Sequence, residues 1–352
     1  MSHDYRVVQW TRFKRSYDVA LVLGVLGFLG ASVGTVVIVQ WPEDLLSPMQ
    51  LLGRAFGAAA FALLTLILAI GPLARLSPRF LPLLYNRRHM GVTCFVLALL
   101  HATLLTVWYH GFGDLNPLVS LLVSNPRYDS LQGFPFESLG VAALLILFVM
   151  AASSHDFWNA NLGPGLWKAI HMSVYGAYAL LVGHVLLGAF QGNKSAAYAA
   201  VVGAGAALVV TLHLVTGRRE ARRDTPVAAE PDGWLPVGPA LAIEDGCARV
   251  VTPPAGERIA VFRMGEKVFA VSNVCRHQGG PLGEGRIVDG CITCPWHGFQ
   301  YRPEDGTAPA PFDEKIATYR TRIERGDVYV DPRPVGLGVP TTPSVITGAR
   351  EP

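Results

Sequence analysis

The chain has 352 residues, enough for more than one domain, of which 51% are hydrophobic and only 16% charged. That is too apolar for an ordinary soluble protein. The net charge is only +3, and the arginines sit beside apolar runs, so no separate basic face exists for a nucleic acid.

Long apolar runs fill residues 17–216, and charged residues become frequent from Arg218 onward. A membrane part followed by a soluble part is expected. Residues 1–16 are polar and carry Arg6, Arg12, Lys14 and Arg15. No cleavage site of the A-x-A type follows them, so the first apolar run reads as a retained anchor. Six apolar segments, at about 17–40, 51–73, 89–110, 137–154, 167–190 and 196–216, are each near the ~20 residues that cross a bilayer. Their glycines and alanines suit close helix packing in lipid. Gly71-Pro72 and Gly163-Pro164 mark breaks between segments.

Six spans put both termini on one side. Basic residues pick that side: the four before the first span, Arg75, Arg79, Arg87 and Arg88 after the second, Lys168 before the fifth, and Arg218, Arg219, Arg222 and Arg223 after the sixth. The opposite loops hold mainly Glu43, Asp44, Asp114 and Asp129, with Arg127 and Lys194. Both termini are therefore expected in the cytoplasm, as for a multi-pass bacterial inner-membrane protein. The outer loop 111–136 is long enough to cap the bundle, with a short interfacial helix over 118–123.

Ionisable side chains inside a bilayer are costly and default to a functional reading. The third span carries His89 at its cytoplasmic start, His101 near its middle and His110 at its outer end. The fifth carries His171 near the inside and His184 toward the outside. These two spans run in the same direction. His101 lies 13 residues past Arg88 and His184 lies 16 past Lys168, so the two share a depth. Facing histidines at equal depth make a six-coordinate haem b site. His171 is 13 residues from His184, roughly 20 Å along a helix, which leaves room for a second haem with His89. His89 follows Arg87-Arg88 and reads equally as an interfacial residue. His110, His155 and His213 lie at span ends and read as bystanders.

Asn-Arg-Arg-His-Met-Gly at 86–91, Leu-Leu-His at 99–101, Trp-Lys-Ala-Ile-His-Met-Ser-Val-Tyr at 167–175 and His184 resemble the ferric reductase-like transmembrane superfamily. The resemblance covers roughly residues 50–216. It implies one or two b-type haems between the third and fifth spans, with His101, His184, His171 and His89 as ligands. The spacing of His89 and His101 is a little narrower than is common there. Ferric reductases and NADPH oxidases continue into flavin and nicotinamide domains, and here another domain stands in that place.

Residues 217–233 form a charged linker. From 234 to 332 the chain reads as a small all-β domain, with strands such as 258–262, 267–271 and 327–330 and hairpin turns at 265–266 and 325–327. Within it stand Cys275-Arg-His277 and, after residues 278–293, Cys294-Pro-Trp-His297. Two thiolates on one iron and two imidazoles on the other define a Rieske [2Fe–2S] centre. The competing reading is a zinc site, whose paired ligands ordinarily have two to four residues between them, so a Cys-x-His start, with only one, argues against it. The stretch resembles the Rieske ferredoxin family, which implies that the edges of His277 and His297 are the exposed electron exit. High-potential respiratory members add a disulfide. Gly280 and Trp296 stand in the equivalent places, which fits a reducing compartment and a potential toward the low end of the Rieske range. Cys94 and Cys247 read as small buried residues and Cys291 as a strand residue. The Pro-, Thr- and Gly-rich tail 333–352 is expected to be disordered.

The fold expected is thus a multidomain membrane protein, a six-helix transmembrane α-bundle plus a small all-β Rieske domain. The function expected is single-electron transfer between a cytoplasmic cluster and haem b. The donor would be a flavoprotein or ferredoxin-type reductase, and the acceptor a quinone or an outer-side redox partner. No acid–base triad or mononuclear iron motif is present. A redox sensor that reports the cluster's state to a partner is the alternative from another class.

Overall fold

The computed structural model describes residues 12–40, 46–84, 87–123, 130, 133–191, 196–223, 226–277, 279–295, 298–310 and 312–346. It divides into two compact units. Among the described residues, one unit takes those up to 71 and 87–212, and the other takes 72–84 and 213–346.

The first unit is helical. Its elements are α1 (Arg12–Gln40), most of α2 (Pro48–Leu76), α3 (Arg87–His110), α4 (Pro117–Val123), α5 (Phe136–Ser153), α6 (Asp156–Met172), α7 (Val174–Gln191) and the start of α8 (Ala196–Arg223). Among the described residues, six helical stretches are long and apolar enough to cross a membrane. The protein is an integral membrane protein. The apolar side chains that face outward along α1, such as Val22, Leu23 and Leu26, fit contact with lipid and not with water.

One feature departs from the sequence expectation. Gly71-Pro72 and Gly163-Pro164 do not break their helices, because α2 and α6 run through them. A membrane helix tolerates a proline where neighbouring groups satisfy the carbonyl it leaves open. The expected fifth span is present as one membrane-length stretch over Gly165–Gly188, with Ser173 as a single non-helical residue between α6 and α7. The Ser173 hydroxyl and N–H both donate to Ile170 O, at 2.5 and 3.1 Å. This local bonding competes with the helical ladder at that residue. The expected short helix of the outer loop is α4, tied back to α3 by a 2.9 Å hydrogen bond between His110 Nδ1 and Ser120 Oγ.

The second unit is mostly β. Its strands are β1 (Leu235–Pro239), β2 (Ala248–Val251), β3 (Ile259–Met264), β4 (Lys267–Ser272), β5 (Arg286–Val288), β6 (Cys291–Thr293), β7 (Gln300–Tyr301), β8 (Ala317–Tyr319), β9 (Thr321–Glu324), β10 (Asp327–Val330), β11 (Gly336–Leu337) and β12 (Ser344–Val345). They pair as β1-β10-β9, as β11-β8-β4-β3-β2 with β12 on β4, and as a small β5-β6-β7 sheet. Alternation along β3 divides the core. Ile259 and Val261 face a cluster with Leu235, Val328 and Val330, while Ala260 and Phe262 face Cys275, Cys294, Ile292 and Tyr301. Two-residue turns close two hairpins, Asp289-Gly290 between β5 and β6 and Arg325-Gly326 between β9 and β10. All four residues have positive φ, as this turn class requires.

The tail expected to be disordered is ordered as far as Ile346. β11 pairs with β8, β12 pairs with β4, and Ile346 is buried against the first core cluster. Polar composition did not reveal that two short segments would complete the edges of this sheet. Residues 347–352 lie outside the described residues.

Candidate redox centres

The membrane centre rests on four helices. His101 projects from α3 toward α2, and its Nδ1 lies 2.8 Å from Gly53 O. His184 projects from α7 toward α5, and its Nδ1 lies 2.9 Å from Phe136 O. A carbonyl oxygen can only accept, so both Nδ1 atoms carry the proton. Each ring, when neutral, then keeps its lone pair on Nε2, the form a metal takes. The two rings face each other with centroids 6.2 Å apart and planes at 85°. A metal between two imidazoles, at about 2.0–2.1 Å from each nitrogen, needs roughly this centroid separation. The residues present fit a haem iron with two axial histidines.

The inner pair is built differently. His171 Nδ1 is 3.0 Å from Trp167 O in its own helix, its ring stacks on Trp167 at 3.9 Å, and its Nε2 is 3.2 Å from Ser154 Oγ. His89 Nδ1 is 2.8 Å from Asp18 Oδ1 on α1. All four predicted haem ligands therefore have Nδ1 on an acceptor. Only His101 and His184 are brought ring to ring among the described contacts. At His171 a serine hydroxyl stands where a metal would bind.

The cluster centre lies in two loops of the second unit, one between β4 and β5 and one between β6 and β7. The loops have the same backbone wiring. Cys275 N–H donates to Gly280 O at 2.9 Å, and Gly279 N–H donates to Cys275 O at 2.7 Å. Cys294 N–H donates to Phe299 O at 2.8 Å, and Gly298 N–H donates to Cys294 O at 2.9 Å. Gly279 and Gly298 have φ of +73° and +70°, so the matching corner of each loop needs glycine. Both cysteines are buried, at 1% exposure, so soft sulfur donors point inward from two equivalent turns. No disulfide joins any two cysteines among the described residues. The His277 ring stacks on Phe299 at 4.8 Å with 9° between planes. Trp296 and His297 lie outside the described residues. Two buried thiols and a half-buried imidazole on paired loops fit an iron–sulfur cluster.

One further residue belongs to this centre. Tyr301 OH accepts the Arg276 N–H at 3.1 Å and sits 3.5 Å from Cys275 Sγ, so its own hydrogen is available to the sulfur. Burial, and behind it the nearby Cys275, push the Tyr301 hydroxyl far above its ordinary pKa of 10.0. It stays protonated and remains a donor. Sequence reasoning missed Tyr301, and it also missed Gly53, Phe136 and Ser154, which meet the membrane histidines. The only signals available were that Tyr301 alternates with Phe299 into the core and that Gly53 and Gly57 are four apart, as in closely packed membrane helices.

A bundle with a facing histidine pair, joined in one chain to a paired-loop cluster domain, defines a membrane redox protein. Residues 56–182 match the model of the ferric reductase like transmembrane component, and over residues 233–320 the chain belongs to the Rieske [2Fe-2S] domain family. It is 36% identical over 102 residues to the anthranilate 1,2-dioxygenase ferredoxin subunit of Burkholderia cepacia, a match over 28% of this chain and 91% of that one. It is 30% identical over 138 residues to the heme-binding subunit MsrQ of protein-methionine-sulfoxide reductase from Herminiimonas arsenicoxydans, covering 39% of this chain and 58% of that one. A cholesterol 7-desaturase of Ciona intestinalis is 35% identical over 109 residues, but the match spans only 23% of its length and 30% of this chain. The protein accordingly carries a Rieske [2Fe-2S] domain beside a membrane part similar to a heme-binding subunit.

Proposed function

We propose that the chain conducts single electrons between a cytoplasmic Rieske cluster and haem b in the bilayer, toward a quinone or an outer-side acceptor. The observation that carries this reading is the facing pair His101–His184 in a chain that also holds the two cluster loops. When bound, both groups supply reversible one-electron chemistry. The protein's own residues do the rest. Cys275, His277, Cys294 and His297 would hold the cluster, with Tyr301 donating toward sulfur. His101 and His184 would hold the haem with fixed tautomers. His89 and His171 would hold a second haem only if Ser154 gave up His171 Nε2. Basic residues at the ends of the spans favour a cytoplasmic cluster domain and termini in a bacterial inner membrane. Such a domain would take electrons from a soluble flavoprotein or ferredoxin-type reductase and pass them outward to a quinone or periplasmic redox partner.

A redox titration of membranes containing the full chain, followed optically for haem and by EPR for the cluster, tests the direction. The expected result is a haem potential above that of the cluster. A haem that titrates below the cluster would make the outward direction uphill and reverse the reading. The same titration counts the haems.

A further inference from the structure

Each histidine of the facing pair sits in the same cradle. The acceptor is a helix carbonyl: Gly53 O on α2 for His101, and Phe136 O on α5 for His184. Four residues further along each of those helices stands a glycine, Gly57 and Gly140. The spacing has a physical cause. In an α-helix the carbonyl of residue i accepts the N–H of residue i+4, and side chains tilt toward the helix N-terminus. The side chain of residue i+4 therefore leans over the carbonyl of residue i. An imidazole that reaches that carbonyl must occupy the space where this side chain would lie.

The distances bear this out. A Cβ at Gly57 would stand 2.5 Å from His101 Nδ1, 2.8 Å from Cε1 and 3.0 Å from Cγ. A Cβ at Gly140 would stand 2.8 Å from His184 Nδ1, 2.9 Å from Cε1 and 3.4 Å from Cγ. In both places the three nearest atoms all belong to the imidazole. Glycines that serve only close helix packing meet other groups: a Cβ at Gly53 would strike Leu105 Cδ2 at 2.6 Å, and one at Gly188 would reach Phe136 Cε2 at 3.0 Å. Those two contacts lie one turn beyond the histidines. They exchange large for small, with leucine on glycine at one and glycine on phenylalanine at the other, and they fix the register of α3 on α2 and of α7 on α5.

We propose that Gly57 and Gly140 are positioning residues for the axial histidines. By carrying no Cβ they let each ring lie against a helix backbone and place its Nδ1 proton on a carbonyl. They thereby hold the two ring planes near perpendicular. This inference rests on His101 and His184 being the haem ligands. Neither glycine touches the reacting centre, and each acts through its histidine.

The test uses the full-length protein with Gly57→Ala and Gly140→Ala, compared with Gly203→Ala on α8, where an added Cβ meets nothing within 4 Å. Haem content and the EPR of the oxidised haem are the readouts. The wild type and Gly203→Ala are expected to show full haem and a highly anisotropic low-spin signal, as near-perpendicular imidazoles give. Gly57→Ala and Gly140→Ala are expected to bind haem roughly tenfold more weakly, with a low-spin signal moved or partly converted to high spin. Unchanged content and signal in both would overturn the proposal. If His101→Ala and His184→Ala also keep full haem, the ligand assignment has failed, and not the positioning role alone. A double variant guards against simple misfolding. Because the clash is with the ring, Gly57→Ala should cost no further haem in a His101→Gly background, where no ring remains at that place. A double variant that binds less haem than His101→Gly alone would show that the methyl harms the helix itself, and would equally overturn the proposal.

Discussion

The two centres solve opposite problems. In the bundle the proposed ligands are imidazoles, so the surroundings supply acceptors: Gly53 O, Phe136 O, Trp167 O and Asp18 Oδ1 each take an Nδ1. These acceptors select the tautomer that leaves Nε2 for a metal. In the cluster domain the proposed ligands include sulfurs that would carry negative charge, so the surroundings supply a donor, the Tyr301 hydroxyl beside Cys275. The scaffolds differ accordingly. Helices set the bundle ligands by four-residue spacing, whereas glycine-cornered loops set the cysteines. Both centres are nonetheless built from two matching halves. The charge of a ligand decides whether its second partner must give or take a proton, and the fold then decides which backbone can offer it.

The largest effect expected is a clean separation of the two cofactors. His101→Ala or His184→Ala should abolish most of the reduced haem absorbance and leave the cluster's EPR intensity unchanged. Cys275→Ser or Cys294→Ser should do the reverse. The halves of the comparison occupy separate compact units, so neither loss should propagate. Loss of both signals from a single substitution would show that the centres depend on each other for assembly.

A smaller effect should mark the cluster domain alone. Ending the chain after Pro332 removes β11 and β12, the Val335 N–H to Thr318 O bond, and Ile346 from the core. Burial of one isoleucine is worth about 1.5–3 kcal/mol, and a domain of this size loses about 4–8 °C per kcal/mol. The cluster signal should therefore bleach at least 6 °C or so earlier on heating, with the haem spectrum of the bundle unaffected at that temperature. An unchanged midpoint would mean that the tail contributes nothing to the fold.

Legibility in the sequence follows the same division. The six spans were readable because a bilayer imposes a length and an apolar composition that no local detail can hide. The shared depth of His101 and His184 was readable by counting along helices, and the structure places their rings 6.2 Å apart. Hairpin turns such as Arg325-Gly326 were readable because their backbone demands particular residues. The single non-helical residue Ser173 was not readable, because one hydroxyl bonding to Ile170 O decided it within an otherwise continuous apolar run. The ordering of 333–346 was hidden because its strands are two residues long and owe their order to the sheet they join. Tyr301 and Gly57 were hidden for a related reason, since each acts on a residue more than twenty-five or forty positions away in the chain.

Tyr301→Phe probes the comparison most finely, because it removes a donor from the cluster centre and leaves the ring that packs the core. Tyr301 is fully buried, and its ring packs against Phe299 at 5.2 Å, so phenylalanine should fill the same space. What disappears is one hydroxyl, 3.5 Å from Cys275 Sγ. Reduction adds negative charge to the cluster, so a donor to sulfur favours the reduced form and its loss should lower the potential. At 0.5–1.5 kcal/mol for one hydrogen bond, and with 59 mV for each tenfold change in a one-electron couple, the shift is roughly 20–65 mV downward. The long O···S distance favours the lower part of that range. The haem potential, measured in the same titration, should not move. An unchanged or raised cluster potential would mean that the Tyr301 hydrogen serves another acceptor, and the contrast between donor-fixed sulfur and acceptor-fixed imidazole would then rest on backbone N–H groups alone.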